Sequence, residues 1–150
     1  MPKIDYSTGM ISRLKPDEVF VFGSNLAARH GGGAALQAKN EFGAEYGCGF
    51  GHCGQSFAIP TKDMEIQTMD PNIIALHVTA FNIYAIARPE LKFCVTQIGT
   101  GLAGIPHGVM AKMFWGSVNT DNILFDRAWR DMLPAEFEDK RFWNENVNVW

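Results

Sequence analysis

Glu18-Val19-Phe20-Val21-Phe22-Gly23-Ser24-Asn25 runs into Leu26-Ala27-Ala28-Arg29-His30-Gly31-Gly32-Gly33 and then into Ala34-Ala35-Leu36-Gln37-Ala38-Lys39. A continuous apolar run of β-branched and aromatic residues, closed by Gly23-Ser24-Asn25, reads as a buried strand entering a turn. The good helix formers at 34–39 follow a glycine loop and stop at Gly43, a helix-ending residue. The unit is therefore strand, glycine loop, helix. Residues 56–59 read as a second strand stopped by Pro60, with Thr61-Lys62-Asp63 at its carboxyl end. Asp70-Pro71 opens a long helix as N-cap and first-turn proline, and Arg88-Pro89 closes it after Ala87. Residues 91–96 form a third strand that enters a second glycine loop, Gln97-Ile98-Gly99-Thr100-Gly101-Leu102-Ala103-Gly104-Ile105. Pro106 starts a helix through about Trp115, and residues 120–125 read as a further strand. Strands alternating with helices imply right-handed crossovers. The expected fold is a three-layer α/β/α sandwich around a central mixed, mostly parallel sheet.

At 150 residues the chain suits one domain, with a core over about 18–125 and an aromatic-rich extension over 126–150. The extension's Trp129, Phe142, Trp143 and Trp150 read as anchors to the body rather than ligand contacts. A net charge of -3 with scattered basic residues gives no footprint for general nucleic-acid binding. The apolar stretch 72–87 is interrupted by His77, Thr79, Asn82 and Tyr84 and is too short to span a membrane. The first residues lack the apolar core of a secretory signal, so a cytoplasmic location is expected. Three cysteines are too few and odd in number for a disulfide framework, and reduced thiols are expected. Cys48, His52 and Cys53 offer a metal only three ligands at an unusual spacing, so a glycine-rich loop with incidental thiols is the reading preferred over a zinc site.

Both glycine loops follow strands, at the sheet edge where open α/β folds bind ligands. Glycine lets the backbone approach a phosphate closely, with N–H groups and a helix dipole aimed at the anion. Two such loops suit a diphosphate, although tight turns alone would account for the same glycines. The P-loop signature is absent, and no dinucleotide-binding G-x-G-x-x-G follows the first strand.

The three blocks 25–36, Phe57-Ala58-Ile59-Pro60-Thr61-Lys62, and 97–105 resemble, in order, those of one macrodomain branch. That branch contains the DNA ADP-ribosyl antitoxins and the terminal ADP-ribose protein glycohydrolase, and the resemblance spans roughly residues 18–125. It implies binding of ADP-ribose, or its release from a modified protein or nucleic acid, without metal or other cofactor. By motif, Asn25 would contact the distal ribose. Gly31, Gly32 and Gly33 would form the first phosphate loop, and Gly99, Thr100, Gly101, Leu102, Ala103 and Gly104 the second. Phe125 would stack on adenine or belong to the core. Lys62 matches the lysine implicated in ADP-ribose removal, as nucleophile or imine former if its amine is neutral; a solvated or phosphate-pairing lysine is the alternative. An adjacent Asp63 pairing with it would oppose nucleophilic use.

His30 is a candidate phosphate donor or general acid, or a solvated loop residue, and His107 a phosphate donor or an exposed side chain; His77 reads as packing. The family's Gly-Asp after the first strand is missing, which leaves the acid that would read adenine unassigned, with Asp5 and Asp17 as candidates. Ala103 stands where the protein glycohydrolase has an acid, so an acid-assisted route is not expected, while Gly-Leu-Ala-Gly is closer to the antitoxin version. Three functions follow: a hydrolase using Asn25 and Lys62, a non-catalytic binder of ADP-ribose or a related metabolite, and an assembly protein using the fold without ligand.

Overall fold

The computed structural model describes residues 1–5, 9–27, 29, 32–44 and 48–144. Strands β1 (Lys3–Asp5) and β2 (Met10–Arg13) pair antiparallel in a hairpin. Then come β3 (Glu18–Asn25), α1 (Gly33–Glu41), β4 (Gly51–Cys53), β5 (Ser56–Lys62), α2 (Pro71–Ala87), β6 (Lys92–Val95), α3 (His107–Met113) and β7 (Ile123–Phe125). The central sheet has the order β4-β5-β3-β6-β7; β5, β3, β6 and β7 are parallel, and β4 pairs antiparallel on the β5 edge. This is the expected α/β sandwich.

The connection from β3 leads to β5 on one side, whereas those from β5 and β6 lead the other way. Right-handed crossovers then force α1 onto one face and α2 and α3 onto the opposite face. The core divides accordingly by strand parity. Val19, Val21, Phe57, Ile59, Phe93, Val95, Ile123 and Phe125 pack on α2 and α3, while Phe20, Phe22, Ala58, Cys94 and Leu124 pack with Ala38 of α1 and Ile11 of the hairpin. Two adjacent strands, β3 and β6, thus send their chains in opposite directions. A crevice opens at their carboxyl ends, where ligands bind in such sheets.

Helix α2 begins as its sequence implies, with the Asp70 carboxylate accepting the Asn72 N–H at 2.8 Å. The last helix is shorter than expected: α3 ends at Met113, and a 3-10 turn at Trp115–Ser117 follows. Pro60 does not end its strand. It pairs with Ser24 at a register shift and lies beyond Ala58, the last partner of β4, so its missing N–H removes no ladder bond. A further correction concerns the thiols: Cys48 and Cys53 form a disulfide, and only Cys94 is free and buried. The turn between Cys48 and β4 brings together two residues five apart in sequence, which a count of cysteines does not reveal.

Residues 126–144 are part of the same packing. Trp129, Phe137 and Phe142 are fully buried, and Trp143 donates its indole N–H to the Val95 carbonyl at 2.9 Å. Arg141 is buried and its guanidinium donates to the carbonyls of Ser117, Val118, Thr120 and Ile123 at 2.9–3.1 Å, tying the loop before β7 to the C-terminal stretch. Burial lowers the Arg141 pKa from its ordinary value, with Asp121 opposing the shift.

Candidate functional site

A cleft of about 620 Å³ lies at the carboxyl ends of β3, β5 and β6. Its floor is built by the strand ends, with Gly23, Ser24 and Asn25 from β3, Thr61 and Lys62 from β5, and Thr96 just after β6. A Cβ on Gly23 would lie 3.4 Å from both the Gly99 nitrogen and the Ile98 side chain, so the end of β3 and the second glycine loop pack in close contact.

Asn25 shapes the first loop. Its side-chain amide donates to the Arg29 carbonyl at 2.7 Å, and its carbonyl oxygen accepts the Arg29 N–H at 3.0 Å. This reciprocal pair turns the chain back over β3 and leaves the Asn25 amide one further N–H and its oxygen one further lone pair. His30 and Gly31 lie outside the described residues. Gly32 precedes α1 in extended conformation, and Gly33 opens the helix at φ +56°, a left-handed value suited to glycine. No side chain caps α1 among the described residues. Gly33, Ala34 and Ala35 bring the uncapped first turn to the cleft wall, where N–H groups lack intrahelical partners.

The second loop is folded on its own carbonyls. Gln97 accepts both the N–H and the hydroxyl of Thr100, at 3.3 and 2.7 Å, and Gly99 accepts the Ile105 N–H at 2.8 Å. Gly99 has φ +76°, and a Cβ there would meet the Met110 sulfur at 2.9 Å, so the loop lies tightly on α3. Gly99, Thr100, Gly101, Leu102 and Ala103 line the cleft, whereas Gly104 lies outside the lining. The loops meet over it: the position of a Gly32 Cβ is 3.5 Å from the Leu102 side chain. Leu102 is nevertheless 80% exposed.

Lys62 is half-buried and lines the cleft beside its register partner Asn25. The Asp63 carboxylate instead accepts the backbone N–H groups of Glu65 and Gln67 at 2.9 and 3.0 Å, and among the described residues it makes no ion pair with Lys62. The turn that follows places Ile66 at φ +60°, a strained conformation for a β-branched residue, on the cleft rim. The Thr68 hydroxyl donates to the Ala103 carbonyl at 2.9 Å, joining this turn to the second glycine loop.

Three sequence assignments change. Phe125 is fully buried against Phe114, Trp129 and Phe137 and is a core residue, because it points with Phe93 and Val95 to the α2 and α3 face. Asp17 lies at the amino ends of the strands, its carbonyl accepting the Lys92 N–H, and Asp5 is absent from the cleft lining. His107 accepts the Trp129 indole N–H on Nδ1 at 3.1 Å and is not in the lining either. His77 packs on Phe50, with ring centres 5.0 Å apart.

The acid that does reach the cleft is Asp126, just past β7. It is buried and accepts from the Gln97 and Asn144 side-chain amides and the Ala128 N–H, each at 2.9 Å. Trp143, together with Met10 and Ile11 of the hairpin, completes the apolar end of the cleft. Of these, only Asp126 left a trace in the sequence, as an acid directly after a core strand. Ser24 donates its hydroxyl to the Gly49 carbonyl, linking the disulfide loop to the residue beside Asn25.

No protein-family model matches the chain, and neither a curated protein nor a solved structure matches it.

Proposed function

We propose that the chain is a macrodomain-like protein that binds ADP-ribose and removes it from a modified protein or nucleic acid. The observation that carries this reading is the meeting of the two glycine loops over one cleft whose floor holds Asn25 and Lys62 as neighbours. The uncapped start of α1 and the glycine backbone suit a diphosphate. The apolar end near Ile11 and Trp143 suits a flat base, with Asp126 beside it. The distal ribose would then lie over Asn25, within reach of Lys62. In its neutral form the Lys62 amine attacks the anomeric carbon while the bond to the acceptor breaks; the acceptor leaves with that electron pair and takes up the proton the amine gives up, and water then hydrolyses the adduct to ADP-ribose and free Lys62.

Binding without turnover is the second reading. It is favoured by the Asn25 side chain, which bonds the Arg29 backbone through both its amide N–H and its oxygen rather than pointing both outward. Calorimetric titration tests the shared part: ADP-ribose is expected to bind far more tightly than adenosine, and equal affinities would remove the phosphate cradle. Mass spectrometry of ADP-ribosylated DNA and peptides incubated with the protein separates the two readings, since only the first releases ADP-ribose.

A further inference from the structure

Helix α2 contains no Asp, Glu, Lys or Arg in its 17 residues. One face, Ile74, Val78, Phe81 and Ala85, is buried on the sheet. The opposite face leaves Leu76 66%, Ile83 63%, Ile86 60% and Ile73 45% exposed. A surface helix ordinarily carries charged residues on its outer side, and an exposed face with four large aliphatic side chains and no charge is the kind of patch that marks a contact surface.

The exposed face also has an internal symmetry. About the midpoint between Thr79 and Ala80, Leu76 and Ile83 are equidistant, and so are Ile73 and Ile86. A two-fold interface needs a surface complementary to itself. We propose that this face is the contact between two copies of the chain, with α2 packed antiparallel on α2 and the two-fold axis between Thr79 and Ala80. Leu76 of one copy then meets Ile83 of the other. The small Thr79 and Ala80 side chains at the crossing let the helices approach, and Ile73 and Ile86 close the flanks.

The lack of charge means that two identical helices meet without like-charge repulsion. Phe50, 40% exposed and in ring contact with His77, extends the apolar surface on one side. A helix of this length is about 26 Å long, and the patch offers roughly 600 Å² per copy, at the low end of specific interfaces. The helix is flanked by Asp70, Arg88 and Glu90, without the basic cluster that holds a helix on an anionic lipid surface.

Sedimentation equilibrium of the full chain, from low micromolar to near-millimolar concentration, tests the proposal. The expected result is a reversible monomer–dimer equilibrium, weakened at least tenfold by either Leu76→Glu or Ile83→Lys. The double variant, in which Glu and Lys face each other twice across the two-fold axis, should recover dimer, and circular dichroism should show all three variants folded. A wild type that stays monomeric throughout overturns the proposal, whether or not it binds phosphatidylcholine–phosphatidylserine vesicles. So does a dimer indifferent to both single substitutions, or a double variant no better than the singles.

Discussion

Asn25 and Lys62 are register partners at the carboxyl ends of two adjacent parallel strands, and the Leu26 N–H donates to the Lys62 carbonyl at 2.9 Å. The backbone ladder, rather than a loop, therefore sets the spacing between the two polar side chains on the cleft floor. A group held by a strand end is positioned more rigidly than one on a loop, which is what attack at a bound sugar requires.

Under the hydrolase reading, Lys62→Ala abolishes release of ADP-ribose while affinity falls by no more than about tenfold, or about 1.4 kcal/mol, because the loops hold the diphosphate. Lys62→Arg fails equally, since a guanidinium stays protonated and is not a nucleophile. The measurements are single-turnover release and calorimetry on the same preparations. Full activity in Lys62→Ala would falsify the lysine mechanism.

Asn25→Ala acts differently, because it removes both bonds that tie Asn25 to the Arg29 backbone in the first loop. A loss of about 1–2 kcal/mol in stability is expected, a drop of roughly 2–8 °C in melting temperature for a chain of this size. Affinity and turnover should fall together. Unchanged melting with intact binding would show that Arg29 holds the loop without Asn25.

The glycines of the second loop separate fold from function. A Cβ on Gly99 meets the Met110 sulfur at 2.9 Å in a left-handed conformation, whereas Gly101 has open space around it. Gly99→Ala is expected to cost about 1–3 kcal/mol. Gly101→Leu should melt like the wild type but lose ADP-ribose, because its side chain enters the cleft. Thermal melts and titrations of the two variants check this, and a Gly101→Leu protein that binds normally would take Gly101 out of the site.

The strand, loop and helix order was legible because apolar runs, glycine loops and the Asp70-Pro71 cap are local signals. Pro60 misled because a proline is harmless where the neighbouring strand has ended, and that depends on β4, a three-residue strand without a pattern of its own. Phe125 is decided by parity: in a strand ending at the sheet edge, the face a side chain takes follows from register. Asp126 stands directly after a core strand, but Trp143 and the N-terminal hairpin reach the cleft through long-range contacts, for which no local residue pattern exists.

The cysteines give a count that distinguishes the sequence expectation from the structure. Cys94 is fully buried, and burial, followed by the Glu18 carboxylate, pushes its thiol pKa up, so little reactive thiolate forms near neutral pH. A thiol reagent should find none of the three cysteines in the folded oxidised protein, one after denaturation, and three after reduction and denaturation. Reducing the Cys48–Cys53 ring should cost about 2 kcal/mol by loop entropy. Two fast-reacting thiols in the native protein, purified without reductant, would restore the reduced state.

Arg141 provides the test of how the C-terminal stretch is held. Its guanidinium satisfies three carbonyls from the segment between α3 and β7 and a fourth from Ile123, the first residue of β7, and it lies 5.0 Å over the Phe137 ring. Arg141→Met fills similar space but leaves those carbonyls without their donor, a loss expected at about 3–5 kcal/mol. Arg141→Lys keeps the charge, yet three hydrogens on one nitrogen cannot reproduce the planar fork, so it should fall between Met and wild type. Because none of these groups lines the cleft, ADP-ribose affinity measured well below the melting temperature should not change. Chemical denaturation of the three proteins decides the matter: an Arg141→Met variant within about 1 kcal/mol of wild type would mean that burial of Trp129, Phe137 and Phe142 alone secures the extension.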